Sequence, residues 1–349
     1  METGGALSKS AEGKVEGENE VKKSRKIVRR KARKNPAAAL KKKIRIAIEN
    51  ENYYLAEQLI LSQFSRTKNS DMKEAISGLY KGASDLLKAG QGHEGGSLAK
   101  SLVEELTEMK KSPTADDIGK LQTLFSLFKK DDHQPRIEFM KAAIEWTTKA
   151  GSNPHGDVRL HTDLARYYDR RKEYAPAHKH YVRGSRPIDH ARSTIEWAKK
   201  GYPSEIDLFI ARGVLEYLCV ESLKNANAYY QASLKGWLEY MGRSPENRGG
   251  TVSSVTNGKT AVSEKEGKGV HQITPESALA RTPTLNFLHF LLLTLERDAL
   301  PLFDMLCKKY KPSIARDPIF LKYLTRIAHI YFGRPAPKGM LEELLSMFG

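Results

Sequence analysis

The chain has 349 residues, an apolar fraction of 40%, a net charge of +16 and two cysteines. This length accommodates two ordinary domains or one elongated repeat structure, and the somewhat low apolar fraction predicts disordered segments. Two cysteines exclude a disulfide scaffold or a Cys-rich zinc protein and fit a reducing compartment.

Residues 1–36 form a predicted disordered tail that holds much of the positive charge. Its densest run, residues 22–34, reads KKSRKIVRRKARK. Three interpretations are open: a solvated charge run, a nuclear import signal, or an arm that binds RNA or acidic partners. The run contains no aromatic residue, which argues against stacking on bases. The tail has no apolar h-region and contains several glutamates, so we expect a cytosolic protein, with access to the nucleus left open.

After the tail, apolar residues recur at helical spacing and alternating β-branched runs are missing, which predicts an all-α fold. Thr114 with Asp117 is one capping pattern at a predicted helix start. The predicted helices are residues 37–50, 53–65, 71–89, 97–109, 114–128, 135–149, 157–170, 174–182, 188–199, 204–220 and 223–240. Four more follow, near Thr284, Ala299, Pro318 and Met340.

These helices pair into antiparallel hairpins about every 30 to 40 residues, the spacing of an α-solenoid such as a tetratricopeptide-like superhelix. The tetratricopeptide consensus itself is not met. Residues 242–281 are rich in Gly, Ser, Thr, Asn and charge, which predicts a disordered internal loop. We therefore predict one α-solenoid over residues 37–349, interrupted by that loop.

Residues 282–333 are the most apolar part of the chain and contain three predicted helix starts, capped by Thr282, Asp298 and Asp317. The first of these helices is apolar nearly all round, so it must be covered on more than one face. Its apolar run, residues 285–295, is well short of the roughly 20 residues that cross a bilayer, which predicts no membrane span.

No pattern in the chain indicates chemistry. Residues 90–100, GQGHEGGSLAK, lack the Gly-Lys-Ser/Thr ending of a phosphate-binding loop, so we interpret them as a helix-to-helix turn. Four histidines lie close in sequence: His161, His178, His180 and His190. Residues two positions apart on a helix, such as His178 and His180, point to different faces, which argues against a metal site. We interpret all four as solvated or hydrogen-bonded. The prediction is a protein without catalytic residues, metal or cofactor, and not an enzyme.

Several segments carry a family likeness in the same order along the chain. They are residues 52–58 (NYYLAEQ), 82–83, Trp146, 160–161, 205–218 (EIDLFIARGVLEYL), 285–287 (LNF), 297–303 (RDALPLF), Tyr310, 313–314, 316–317 and 331–333 (YFG). Together they resemble the Golgi-to-ER traffic protein 4 family, the scaffold of the pathway for guided entry of tail-anchored proteins. The resemblance covers roughly residues 41–349.

The resemblance implies a cytosolic α-solenoid without catalysis that bridges two partners. Residues 37–150 would bind the homodimeric ATPase that targets tail-anchored proteins, and residues 151–349 a ubiquitin-like-domain adaptor or, in animals, a BAG-domain chaperone. Two positions depart from the family, with Leu61 where members commonly have Arg and Ser97 where they have Asp, which puts regulation of the ATPase in doubt. The candidate ATPase-binding residues are Lys41, Lys42, Lys43, Arg45 and Arg66.

The candidate adaptor-binding residues are Phe287, Phe290, Leu291, Leu295 and Phe303. A solenoid's last hairpin has no following repeat and needs a polar cap or a partner. Both sets of candidates also have a purely structural interpretation. The basic residues are then a solvated charged face, and the apolar residues are the core of the solenoid. Two rival functions stay open: a nucleic-acid-associated solenoid acting through the tail, which we disfavour, and a helical subunit of another complex.

Overall fold

The structure, a computed structural model, describes residues 36–242 and 282–335, and all its regular secondary structure within these ranges is helical. The predicted tail, internal loop and helix near Met340 lie outside these ranges, apart from the helical residues Pro36 and Gly242. Among the described residues the all-α prediction is confirmed. The fifteen α-helices are α1 Pro36–Glu49, α2 Tyr53–Thr67, α3 Met72–Lys88, α4 Gly92–Glu108, α5 Ala115–Leu127, α6 His133–Ala150, α7 Val158–Arg170, α8 Tyr174–Val182, α9 Pro187–Ala198, α10 Ile206–Cys219, α11 Leu223–Gly242, α12 Pro283–Glu296, α13 Leu300–Lys309, α14 Lys311–Ile314 and α15 Ile319–Phe332.

The chain divides into two compact units, residues 1–146 and 147–349. In the first unit α1 packs on α2, α2 on α3 and α3 on α4, and α2 also contacts α4 while α3 contacts α5. Helices two apart in sequence therefore stack, as the hairpins of an α-solenoid do. Leu79, Leu98 and Ile118 are fully buried between them.

Only Gly90 and Gln91 of the glycine-rich segment lie in the turn between α3 and α4, and its interpretation as a turn is wrong from Gly92 onward. Helix α4 begins at Gly92 and includes Gly95 and Gly96. A Cβ atom at Gly95 would lie 2.7 Å from the Cγ of Leu87, and one at Gly96 would lie 2.9 Å from the Cβ of Pro135. The absence of side chains lets α4 approach its neighbours closely, and this packing offsets the usual cost of glycine inside a helix.

Helix α10 is the centre of the second unit. Ten of its residues are buried, and it contacts α8, α9, α11, α12 and α15. The guanidinium of Arg316 joins it to other elements, because it binds the Asp207 carboxylate, the Thr284 hydroxyl at 3.1 Å and the Ser204 carbonyl at 2.8 Å. These contacts hold α10 and α12 against the segment between α14 and α15.

The predicted caps differ in outcome. Thr114 and Asp117 form the expected reciprocal capping box at α5, and the Asp317 carboxylate accepts from the backbone N–H of Ile319 at 3.1 Å. The side chain of Thr282 makes no capping hydrogen bond with the first turn of α12. Asp298 adopts a φ of 50° one residue before the N-cap of α13, so its predicted capping role is wrong.

Candidate partner-binding surfaces

The first surface is the basic face of the α1–α2 hairpin, with Lys41, Lys42, Lys43 and Arg45 on α1 and Arg66 on α2. Leu40 and Ala47 of α1 are buried at a spacing of two turns, which turns the four cations of α1 to solvent. Arg66 is exposed on α2. Only three residues join the two helices, so they run antiparallel and Arg66 lies at the same end of the hairpin as the lysines. We call these five residues the basic hairpin surface.

The cations of the basic hairpin surface differ in their partners. Lys41 Nζ lies 2.8 Å from Glu74 Oε1, and Arg45 lies 3.5 Å from Glu49. Among the described residues, the cations of Lys42, Lys43 and Arg66 have no carboxylate at ion-pair distance. Because an unpaired surface cation keeps its attraction for an incoming anion, these three are the strongest candidates for an acidic partner.

Sequence reasoning missed an apolar element of the same hairpin. Tyr54 is 68% exposed, and Leu55 and Ile46 are also exposed near the turn between α1 and α2. Large exposed apolar side chains are typical anchors of protein interfaces. The signal was present in the sequence, because Tyr54 and Leu55 follow the capping residue Asn52 and fall outside the buried stripe of α2.

The second surface lies on the last helices of the second unit. Four of the candidate adaptor-binding residues, Phe287, Leu291, Leu295 and Phe303, are buried in its core, whereas Phe290 is 42% exposed. The ring of Phe287 packs on Tyr310, with 5.6 Å between centroids, and that of Phe303 packs on Phe332 at 5.3 Å.

Of the five candidates, only Phe290 therefore offers a partner an exposed side chain. Three further apolar side chains are exposed on α13 and α15, namely Leu302, Met305 and Leu321. With Phe290 they form what we call the C-terminal apolar set. Spacing could have indicated two of them, because Leu302 and Met305 each directly precede a buried position of α13, Phe303 and Leu306.

The four histidines form hydrogen-bonded pairs in the second unit. His161 Nδ1 lies 2.9 Å from His180 Nδ1, and His190 Nε2 lies 2.8 Å from His178 Nδ1. His178 Nε2 also lies 2.9 Å from a Glu216 carboxylate oxygen. The hydrogen-bonded interpretation is thus confirmed for all four, and no group of three metal-ligating side chains occurs in the described part of the chain.

Burial lowers the pKa of two of these histidines, His161 and His190. It lowers the pKa of His161 to about 4, and it lowers the pKa of His190 well below the ordinary value, with the charge of His178 adding to the effect. Burial by itself would raise the pKa of Glu216, but the charge of His178 and hydrogen bonds from His178 and Tyr323 lower it. This arrangement holds α8, α9, α10 and α15 together.

None of the helices that the structure describes is both long and apolar enough to span a bilayer.

Comparisons with known proteins agree over most of the chain. Residues 69–349 match the family model described as Golgi to ER traffic protein 4. A Golgi to ER traffic protein 4 homolog from Dictyostelium discoideum is 31% identical over 304 residues, covering 85% of each chain. The human homolog is 28% identical over 315 residues, which is 87% of this chain and 84% of the relative. A crystal structure of "C. therm. Get4" superposes with a TM-score of 0.67 at 29% identity, covering 90% of this chain and 96% of that one.

Proposed function

The chain belongs to the Golgi to ER traffic protein 4 family, and on this premise we propose that it is a non-catalytic cytosolic scaffold for targeting tail-anchored membrane proteins to the endoplasmic reticulum. Family membership supports a role in Golgi-to-ER traffic. The proposal goes further. Residues 37–150 bind the homodimeric targeting ATPase, and residues 151–349 bind a ubiquitin-like-domain adaptor or, if the organism is an animal, a BAG-domain chaperone.

The observation that carries the ATPase assignment is the set of unpaired cations on the basic hairpin surface. Lys42, Lys43 and Arg66 have no carboxylate partner among the described residues, although the same hairpin pairs Lys41 and Arg45 with glutamates. Binding an acidic surface therefore requires no internal ion pair to break first. Electrostatic docking of this kind is fast and sensitive to salt.

The adaptor assignment is supported by the C-terminal apolar set. Phe290, Met305 and Leu321 are exposed although large apolar side chains gain free energy on burial. An adaptor helix or extended segment that covered them would bury them as the core buries Phe287.

The mechanism we propose is proximity. A chain that binds the ATPase through one unit and the client-carrying adaptor through the other raises the effective concentration of each partner for the other. Client transfer then becomes a local step, and the scaffold itself needs no catalytic group.

The test compares two charge-matched double variants for binding to the ATPase by interferometry. Lys42→Glu with Lys43→Glu reverses two unpaired cations of the basic hairpin surface, whereas Lys130→Glu with Lys141→Glu reverses two exposed lysines elsewhere in the first unit. We expect the first variant to weaken binding by about tenfold or more, mainly through slower association. The control should bind as the original chain does.

Adaptor binding should be unchanged in both variants. Equal effects of the two variants on ATPase binding, or binding that is insensitive to a severalfold increase in salt, would exclude docking through the basic hairpin surface.

A further inference from the structure

A groove in the first unit runs between α3, α4 and α5, and it belongs to neither surface described above. It encloses a cavity of about 630 Å³. Its floor includes the buried side chains of Leu102 and Leu106, and Ile76 and Tyr80 of α3 form one wall. Met109, which is 42% exposed, lies at one end. The lining is thus mainly apolar but open to solvent.

The apolar positions of this groove follow a helical repeat. Leu102, Leu106 and Met109 occupy positions i, i+4 and i+7 of α4 and its C-cap, which spans about 10 Å or two helical turns. Ile76 and Tyr80 follow the same repeat on α3, four residues apart. An amphipathic helix presents its own anchors at i, i+3 or i+4, and i+7, so two turns of such a helix match the length of the groove.

Charge indicates which kind of helix fits. Two lysines at the rim are paired, Lys111 Nζ with Asp117 Oδ1 and Lys120 Nζ with Asp116 Oδ2, both at 2.6 Å. The remaining charged side chain that lines the groove, Lys73, has no carboxylate partner among the described residues. The groove therefore carries one uncompensated positive charge beside an apolar floor, which favours an occupant with acidic residues next to its apolar stripe.

The end of the groove at Met109 is held rigidly. The capping box of Thr114 and Asp117 fixes the start of α5, and Asp117 also binds Lys111. The indole N–H of Trp146 donates to the carbonyl of Lys111 at 3.0 Å. A groove that is already formed loses little conformational entropy when a ligand binds.

The groove is separate from the face of α4 that carries Ser97. Leu106 lies nine residues after Ser97, and at 3.6 residues per turn this places the two side chains about half a turn apart around the helix. From these observations we infer that the α3–α4–α5 groove binds an acidic amphipathic helix of a partner protein. The inference does not depend on the proposed function, because it uses neither the basic hairpin surface nor the C-terminal apolar set.

The experiment uses the full chain labelled with ¹³C at its methionine methyl groups, of which there are eight. The probe is a synthetic amphipathic helix of about 18 residues, five turns, with leucines at i, i+3, i+4 and i+7 flanked by glutamates. A matched peptide carries lysine in place of each glutamate. Met72 and Met109 line the groove. Met241, partly exposed at the end of α11 in the second unit and outside both proposed surfaces, is the control.

We expect the acidic peptide to shift the methyl signals of Met72 and Met109 in a saturable manner and to leave Met241 unchanged. Lys73→Glu should weaken this peptide by about tenfold and improve binding of the lysine peptide. Lys81→Glu, an exposed position of α3 outside the groove, should change neither. The circular dichroism of both variants should match the original chain.

Three results would overturn the inference. The first is an equal shift of Met241, or no saturable shift of Met72 and Met109 at all. The second is a shift of Met72 and Met109 when unlabelled chain is added, since the occupant is then a second copy. The third concerns residues 340–348, which read MLEELLSMF and also combine apolar and acidic residues. If the peptide binds only to a chain that ends at Pro335, the groove belongs to that segment.

Discussion

The contact network of Arg316 gives the sharpest stability prediction. Its guanidinium binds the Asp207 carboxylate through both terminal nitrogens and also contacts Thr284 and the Ser204 carbonyl. The side chain of Asp207 is 8% exposed and that of Arg316 is 39% exposed. We predict that Arg316→Met, which keeps most of the aliphatic length, leaves a nearly buried carboxylate without its cation.

The expected cost follows from that difference in exposure. Removing one partner of a fully buried ion pair costs about 3–5 kcal/mol, and a solvent-exposed pair contributes at most about 1 kcal/mol. Since one partner is buried and the other is partly solvated, we expect a loss of about 2 kcal/mol. The pair of Arg212 and Asp317, at 2.5 Å with Arg212 46% exposed, is the control, and Arg212→Met should cost about 1 kcal/mol or less.

Hydrogen exchange followed by mass spectrometry is the appropriate assay, because it reports local opening free energies in α10 and α12 even if the two units unfold separately. A double-mutant cycle with Asp207→Asn isolates the pair. The reasoning is refuted if Arg316→Met lowers protection no more than Arg212→Met, or if the coupling energy of the cycle is below about 0.5 kcal/mol.

Three further predictions concern packing, pH and the second surface. Gly95→Ala should destabilise the first unit by about 1–3 kcal/mol in urea unfolding because its Cβ meets a leucine side chain at 2.7 Å, whereas Gly119→Ala, with open space around it, should stabilise by about 0.5–1 kcal/mol. The pKa of His161 is lowered to about 4 in the fold, so the unfolded chain binds the extra proton first. The free energy of unfolding therefore decreases as the pH falls from 6.5 toward 4, by about 2 kcal/mol at pH 5. Melting temperatures measured over this pH range should decline less steeply for His161→Gln than for the original chain. Leu321→Asp should weaken adaptor capture without changing the melting temperature, because Leu321 is exposed. Phe287→Ala should destabilise the second unit by about 3–5 kcal/mol, because Phe287 is buried. Equal melting temperatures for these two variants would contradict this prediction.

Local sequence patterns were sufficient where the interaction itself is local. The capping box of Thr114 and Asp117 involves residues three apart, and its prediction is confirmed. The predicted bounds of α8, residues 174–182, agree with the structure. The start of α4 was predicted at Ser97 but lies at Gly92, because the contacts that stabilise glycines in this helix come from Leu87 and Pro135 outside it.

The candidate surfaces show the same difference between local interactions, which the sequence indicates, and contacts between distant residues, which it does not. The resemblance to the family, with the position and charge of these residues, predicted the basic hairpin surface as a group. It could not tell which cations are unpaired, because the partner of Lys41 is Glu74, 33 residues away. Likewise, the four neighbouring histidines were predicted to be solvated or hydrogen-bonded, but their pairing across α7, α8 and α9 depends on how those helices pack.

The sequence by itself determined the helical class, most helix positions and the family, because helical periodicity, caps and the order of short motifs are written along the chain. Only the tertiary structure decided which apolar side chains remain exposed. Phe287 and Phe290 lie on the same apolar helix, yet one is 3% exposed and the other 42%. The physical reason is that burial depends on the neighbouring helices, and those contacts join residues far apart in sequence.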